Sequence, residues 1–458
     1  MGQKPDTGGS AHRRVIVLGG GLAGLSASRA LVERGYGVTL IEKRPFLGGR
    51  AFSFRDQQAG VQVDNGQHVF LGCCTYYIDF LEALGVTEHA FLQDTLRTEV
   101  IRNGKRGVLF STPWLGPLHL LPSFLLYPHL SLRDKLLAAY GLARAKLTNR
   151  ERQAGALDRE TLYQWLRRHH QSERAIDYLW NLIVLPTLND HVRDVSADMG
   201  LMVFQEGLLK GPKDATVGFS RIGLTELTGA PAGRFLQEHG ATVVAGKSVE
   251  ALQFEDGSVA GVTLSDGALL RADAYVSALP YDVFLSLLPA DVAGNAFFAK
   301  AAGLTSSPIV GVHLWYDRPV MDQDFVAFLD SPVQWVFNKS RIQGSDGAGQ
   351  QYLCISISGA WDYIDRPKDE LRELFAREME TLFPRAREAK IDRFLVVKQP
   401  QATFRSIPGA SAHRPSQRTP VSNLFLAIQL PAMTGPIHTL SSGRTSPRQI
   451  FKLCTSAS

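Results

Sequence analysis

The chain is poor in the residues that build cross-links and metal clusters. It has four cysteines in 458 residues, Cys73, Cys74, Cys354 and Cys454, and none stand at a metal-ligand spacing. Adjacent Cys73 and Cys74 are badly placed to pair with each other. A disulfide scaffold is therefore excluded, no metal site is expected, and buried or free thiols in a reducing cytoplasm are the expectation. No stretch reaches the ~20 uninterrupted apolar residues that a membrane-spanning helix needs. Charge is modest too: 49 Lys and Arg against 44 Asp and Glu give +5, with no basic block in the body, so nucleic acid is not an expected partner. A mildly basic face meeting anionic lipid stays open. Residues 1–12 are polar and glycine-rich and lack the apolar centre of a signal peptide. A disordered lead-in is expected there, on a protein that is cytoplasmic or peripheral on the inner face of the membrane.

What is there is concentrated in residues 14–50. Val15-Ile16-Val17-Leu18 reads as a buried parallel strand. Gly19, Gly21 and Gly24 follow in G-x-G-x-x-G spacing, Leu22 and Ala23 enter a helix that runs to Glu33, and Val38-Thr39-Leu40-Ile41 closes on Glu42. This is a dinucleotide-binding βαβ fingerprint. Gly19 permits the tight turn, Gly21 lets backbone approach a pyrophosphate, Gly24 lets helix pack on strand, and Glu42 accepts from ribose hydroxyls. The next residues, Lys43-Arg44-Pro45-Phe46-Leu47-Gly48-Gly49-Arg50, resemble the second flavin motif of the amine oxidase and phytoene desaturase superfamily. Gly49 would bring backbone close to the cofactor and Arg50 would offer a fork of donors, so FAD is favoured over NAD.

At this length two domains, or one large composite, are expected. Short strands at 51–55 and 61–64 precede Asp64-Asn65-Gly66-Gln67-His68, dense in polar side chains between apolar runs. In flavin oxidases of this type the equivalent segment runs toward the isoalloxazine ring. Residues 114–130 are strongly apolar but broken by Pro117, Pro122 and Pro128, so they cannot be one straight helix. They read either as a buried cap over a substrate cavity or as a peripheral patch that dips into a membrane and admits a lipid, and both can hold. Residues 150–209 are mostly helical in pattern, with Leu157-Asp158 opening the helix that holds Trp165, and with 180–189 ending in a turn at Pro186. Strands at 249–254 and 259–264 flank an Asp256-Gly257 turn. Further strands are expected at 274–280, 309–316, 334–337, 352–358, 393–398 and 423–427, and a charged helix over 365–382.

Several stretches together match one family: residues 64–68, Gln205-Glu206-Gly207-Leu208-Leu209, residues 313–319, Gln334-Trp335-Val336-Phe337, Ala402-Thr403-Phe404 and residues 418–427. The chain resembles the hydroxysqualene dehydroxylases, squalene-associated FAD-dependent desaturases that sit beside the phytoene desaturases. The resemblance implies an α/β fold: a Rossmann-type FAD-binding domain of the glutathione-reductase/amine-oxidase kind, interleaved with an α+β substrate domain of mixed sheet plus helices. The FAD domain would comprise residues 13–75, 213–290 and 401–427, and the substrate domain 76–212 and 291–400. Val249 would pass the adenine with backbone contacts, and Gly66 and Gln67 would lie at the flavin edge. The implied reaction delivers hydride from reduced FAD to hydroxysqualene, an isoprenoid lipid, with loss of water to give squalene on the way to hopanoids. His68 is the candidate for placing the proton on the leaving hydroxyl.

The resemblance stops at Ala427. The superfamily continues there into Gly-Asp and a helix, whereas this chain reads Ile428-Gln429-Leu430-Pro431 and has no acid after Asp392. A shifted reading frame or genuine divergence would both produce this, and the coding DNA decides between them. A genuine tail should weaken FAD binding. The competing functions are a carotenoid or phytoene desaturase, which runs the flavin oxidatively, and a non-catalytic remnant with impaired FAD binding.

Overall fold

The structure, a computed structural model, describes residues 13–57, 60–345 and 349–427. The expectations for residues 1–12 and for the tail after Ala427 lie outside the described residues. The chain forms two compact units. The first runs to Gly49 and includes Thr228–Ala302 and the chain from Pro415; the second takes Arg50–Leu227 and Gly303–Arg414. Unit boundaries thus fall after residues 49, 227, 302 and 414, where the sequence suggested 75, 212, 290 and 400.

The first unit is built on a five-stranded sheet in the order Thr242–Ala245, Gly37–Glu42, Arg14–Leu18, Ala274–Ser277, Leu424–Leu426. Every neighbouring pair is parallel. The central strands read as near-continuous apolar runs because a parallel sheet is covered on both faces. Helix Leu22–Val32 makes the crossover between the first two strands and buries Leu25, Ala27 and Leu31. The hairpin Val249–Glu255 and Ser258–Leu264 forms as its turn residues demand, with Asp256 and Gly257 both at positive φ (47° and 73°). Leu18, Leu252, Val262, Tyr275, Phe298 and Leu424 share one buried core.

The second unit carries a seven-stranded sheet ordered Ile391–Phe404, Ser306–Tyr316, Gln351–Ser358, Trp335–Asn338, Phe325–Phe328, Arg97–Arg102, Lys105–Phe110. Only Phe325–Phe328 and Arg97–Arg102 pair in parallel among these neighbours. One face of Ser306–Tyr316 carries Val310, Val312, Leu314 and Tyr316 into a core shared with helix Lys368–Leu382. The alternate face carries Gly311, His313 and Trp315. A separate helical core surrounds Trp165, Trp180 and Phe204.

Two helix expectations need correction. Leu157 ends helix Arg150–Leu157 and Asp158 follows it as a helical C-cap; Trp165 belongs to the next helix, Leu162–Arg168. The true N-cap is Thr161, whose side chain and Gln164 form a reciprocal capping box. Pro186 does not make the turn: it lies inside helix Asn181–Leu188, two residues before its end. The N–H that proline lacks would have served only the last turn, which closes at Asn189 in the left-handed region (φ 57°).

Candidate functional site

In the first unit the glycine loop is tightly determined. Gly19 has φ 100°, and its N–H donates to the Ile41 carbonyl at 2.8 Å. A Cβ on Gly24 would stand 1.9 Å from the Gly19 carbonyl oxygen, so no side chain fits where the helix meets the turn. A Cβ on Gly21 would meet only the Gly49 Cα, at 3.7 Å. Gly21 therefore leaves open space rather than filling it, as a site for close approach of a ligand requires. Gly49, at φ 59°, is barred from carrying a side chain in turn, because its Cβ would lie 2.7 Å from the Gly21 Cα. The Gly48 N–H donates to the Gly20 carbonyl at 2.8 Å, which holds the second flavin motif against the first.

Gly21 precedes the helix, and Leu25 is the first residue to donate along it, to the Gly21 carbonyl. Helix geometry leaves the first-turn N–H groups of Leu22, Ala23 and Gly24 for an anion. Glu42 is buried. Its two carboxylate oxygens accept from the N–H groups of Gly20 (2.7 Å) and Arg44 (2.9 Å). Each oxygen retains a second lone-pair site, so Glu42 can still accept from a ribose diol while these bonds orient it. Lys43 is exposed, and Arg44 donates to the Gly49 carbonyl. Val249 begins the strand that follows Gly246 and Lys247, whose N–H groups donate to the carbonyls of Arg44 and Glu42. The approach to Val249 is thereby tied to the acidic end of the second strand.

In the second unit, Arg50 Nη1 donates to the carbonyls of Gln401 and Ala402. Asn65 donates to the Arg50 carbonyl, while its buried Oδ1 has no partner. Gly66 is buried, and a Cβ there would meet nothing within 4 Å. Around these lies a polar cluster whose key member the sequence did not single out. Lys339 is 2% exposed; its Nζ donates to Asp64 Oδ2 at 2.9 Å and to Gln67 Oε1 at 3.1 Å. Asp64 Oδ1 accepts from Ser53 Oγ and from the Leu224 N–H. Burial pushes the Asp64 carboxyl up, but the Lys339 charge and the hydrogen bonds outweigh it, and the net pKa lies below the usual carboxylate value.

His68 is exposed at its surface, yet desolvation by the surrounding protein holds its pKa below 6.5. Nδ1 lies 3.2 Å from the Gly66 carbonyl, which can only accept. A neutral ring therefore donates through Nδ1 and keeps Nε2 as an acceptor. His313 is fully buried, with Nδ1 2.7 Å from the Tyr352 hydroxyl and Nε2 without a partner. A Cβ on Gly311 would lie 3.5 Å from that Nε2 and 3.7 Å from the Gly66 Cα, so the unpartnered nitrogen stands beside the Asn65-Gly66 segment.

Burial lowers the His313 pKa to about 3. Between pH 6.5 and about 3 the unfolded chain thus binds a proton that the folded chain does not. Stability is complete above pH 6.5 and falls on acidification by up to about 1.4 kcal/mol per pH unit from this group. His68, His119, His129 and His169, all shifted down, act in the same direction. A His313→Gln variant should lose less of its thermal midpoint than the parent between about pH 6.5 and 4.5; equal losses would remove His313 as the source.

The profile of flavin containing amine oxidoreductases matches residues 22–427. The chain belongs to that family. The match ends at Ala427. Among curated relatives, the 15-cis-phytoene desaturase of Synechococcus elongatus is 26% identical over 440 residues, covering 90% of each chain. The zeta-carotene desaturase of Arabidopsis thaliana is 25% identical, covering 90% of this chain and 80% of its own. Two solved structures share the fold, each with a TM-score of 0.68. One is an oxidoreductase from Methanosarcina mazei (18% identity, 90% and 94% coverage) and the other a putrescine oxidase (17%, 91% and 93%). This flavin oxidoreductase is an FAD-dependent enzyme. Within the first unit, the open face at Gly21 and the spare lone pairs of Glu42 fit that cofactor.

Proposed function

We propose that the enzyme reduces hydroxysqualene to squalene. The observation that carries the reading is the meeting of family-like stretches far apart in sequence. Residues 64–68 supply Asp64 and Gln67, the strand through 313 supplies His313, and Lys339 stands two residues past the 334–337 stretch; Asp64, Gln67 and Lys339 are hydrogen-bonded. Bound FAD supplies the hydride. The chain's own residues must hold an apolar substrate, exclude water and protonate the departing hydroxyl. His68 takes that last role in this reading. Neutral, its Nε2 accepts from a substrate hydroxyl and orients it; protonated, the same nitrogen donates.

Because the His68 pKa is lowered, activity should rise as pH drops below 6.5. Anaerobic turnover of hydroxysqualene by chemically reduced enzyme, with squalene measured as product, tests the reaction. No squalene from FAD-loaded enzyme would sink it. His68→Ala should remove the acidic limb and lower kcat by about 10²–10⁴-fold; unchanged turnover would remove His68.

The curated relatives favour a second reading, desaturation of a carotenoid precursor with the flavin running oxidatively. Oxidised enzyme given phytoene separates the two. Either substrate is an isoprenoid lipid that partitions into a bilayer, and the same proposal places the protein at the cytoplasmic face of a membrane.

A further inference from the structure

Nine of the fourteen large apolar side chains that are exposed among the described residues fall between Trp114 and Leu147. They sit on three successive elements: Pro113–Leu118, the short helix Leu121–Leu126 and the helix Leu132–Leu147. Trp114 is 83% exposed, Leu126 72%, Leu132 73% and Leu147 77%. Such a concentration on a folded chain marks a surface that something covers.

The long helix shows what kind of surface. At about 100° per residue, Leu132, Leu136, Tyr140 and Leu147 fall within an arc of about 80°. Its buried residues, Asp134, Ala138, Gly141 and Ala145, lie on the opposite side. The helix therefore packs inward through small residues and presents its bulky apolar stripe outward, the reverse of an ordinary surface helix. By the same spacing Arg133 and Arg144 border the stripe on one side, and Lys135 and Lys146 on the other. Lys135 also donates to the Leu125 carbonyl and ties the two helices together. Between residues 113 and 148 the sole acid is Asp134, which is buried and bonded to Ser131 and Ser172.

An apolar stripe edged on both sides by cations, on a segment whose sole acid is buried, fits a leaflet of anionic lipid. Leucines enter the acyl boundary, and the long basic side chains reach back to phosphates. A second copy of the same face would set like charges against one another across a two-fold axis. We propose that residues 114–147, centred on the Leu132–Leu147 helix, form a docking surface for anionic membrane lipid. This deepens the peripheral placement proposed above by naming the face and the lipid chemistry, and it does not depend on which isoprenoid is the substrate.

The test uses the purified full-length chain and phosphatidylcholine vesicles with or without about one-third phosphatidylglycerol. Co-sedimentation should show partitioning at least about tenfold stronger on the anionic vesicles, falling as salt is raised. Leu126→Ser with Leu136→Ser should weaken binding to anionic vesicles about tenfold or more. Arg133→Glu with Arg144→Glu and Lys146→Glu should abolish the preference for phosphatidylglycerol. These side chains are exposed, so thermal midpoints should match the parent and serve as the folding control. Absence of binding by the parent chain, or variants that keep its midpoint and bind as the parent does, would overturn the proposal. So would a parent dimer that the leucine substitutions dissociate. Because no outcome uses turnover, failure of the hydroxysqualene reading and failure of this one are read separately.

Discussion

Replacing Lys339 with methionine should lower the stability of the second unit by about 3–5 kcal/mol, because it strands the Asp64 carboxylate in the interior. For a unit of this size that is a fall of roughly 10 °C in thermal midpoint. The hydrogen bonds from Ser53 and Leu224 remain, so the loss should stop short of complete unfolding. The pH dependence identifies the cause. In the parent the Asp64 pKa is depressed, so its contribution is present above pH 3.8 and is lost as pH falls through the folded value. In Lys339→Met the unopposed burial raises that pKa instead. The defect should then be largest above pH 3.8 and shrink on acidification, and Asp64→Asn in the same chain should recover part of the midpoint. A defect independent of pH would mean that lost packing of the lysine stem, not the stranded charge, destabilises the variant.

Gly24→Ala and Gly21→Ala should differ in kind. The alanine methyl at position 24 would lie 1.9 Å from the Gly19 carbonyl oxygen, so strand and helix must separate. That variant should lose bound flavin entirely, seen as absence of the visible flavin absorbance, and its apoprotein should melt well below the parent. The methyl at position 21 meets protein only at 3.7 Å. Gly21→Ala should therefore leave the apoprotein melting curve within about 1 °C of the parent while weakening FAD by at least about tenfold, since the methyl occupies space kept for the cofactor. Equal flavin retention by Gly21→Ala and parent would show that the open space at Gly21 is not used.

Much of the scaffold could be read from the chain because its signals are local. The strand-glycine-helix-strand order of residues 14–42, the Asp256-Gly257 turn and the apolar runs at 309–316 and 352–358 each specify an element within a few residues. Lys339 was invisible for the opposite reason. A lysine beside Asn338 and Ser340 looks like surface, and its burial is dictated by Asp64, 275 residues earlier. Pro186 and Asp158 break the pattern because proline and aspartate are punctuation only on average; a last helical turn tolerates one, and a C-cap position accepts the other. The position of Glu42 at the strand end is legible in the sequence, but its bonds to the Gly20 and Arg44 N–H groups depend on how two loops meet, which spacing alone does not encode.

The order of strands in the five-stranded sheet also constrains synthesis on the ribosome. Arg14 must wait for Asp273, 259 residues later, before its strand gains its second neighbour, and that neighbour waits again for Leu424. At translation rates of about 5–20 residues per second the first gap alone lasts roughly 10–50 s. Throughout it the nascent Val15-Ile16-Val17-Leu18 segment has one sheet partner and an unpaired edge, while residues 50–227 of the other unit emerge ahead of the strand it needs. The nascent chain should accordingly lean on holdase chaperones, and arrest of translation before residue 424 should leave the sheet open at its Ala274–Ser277 edge.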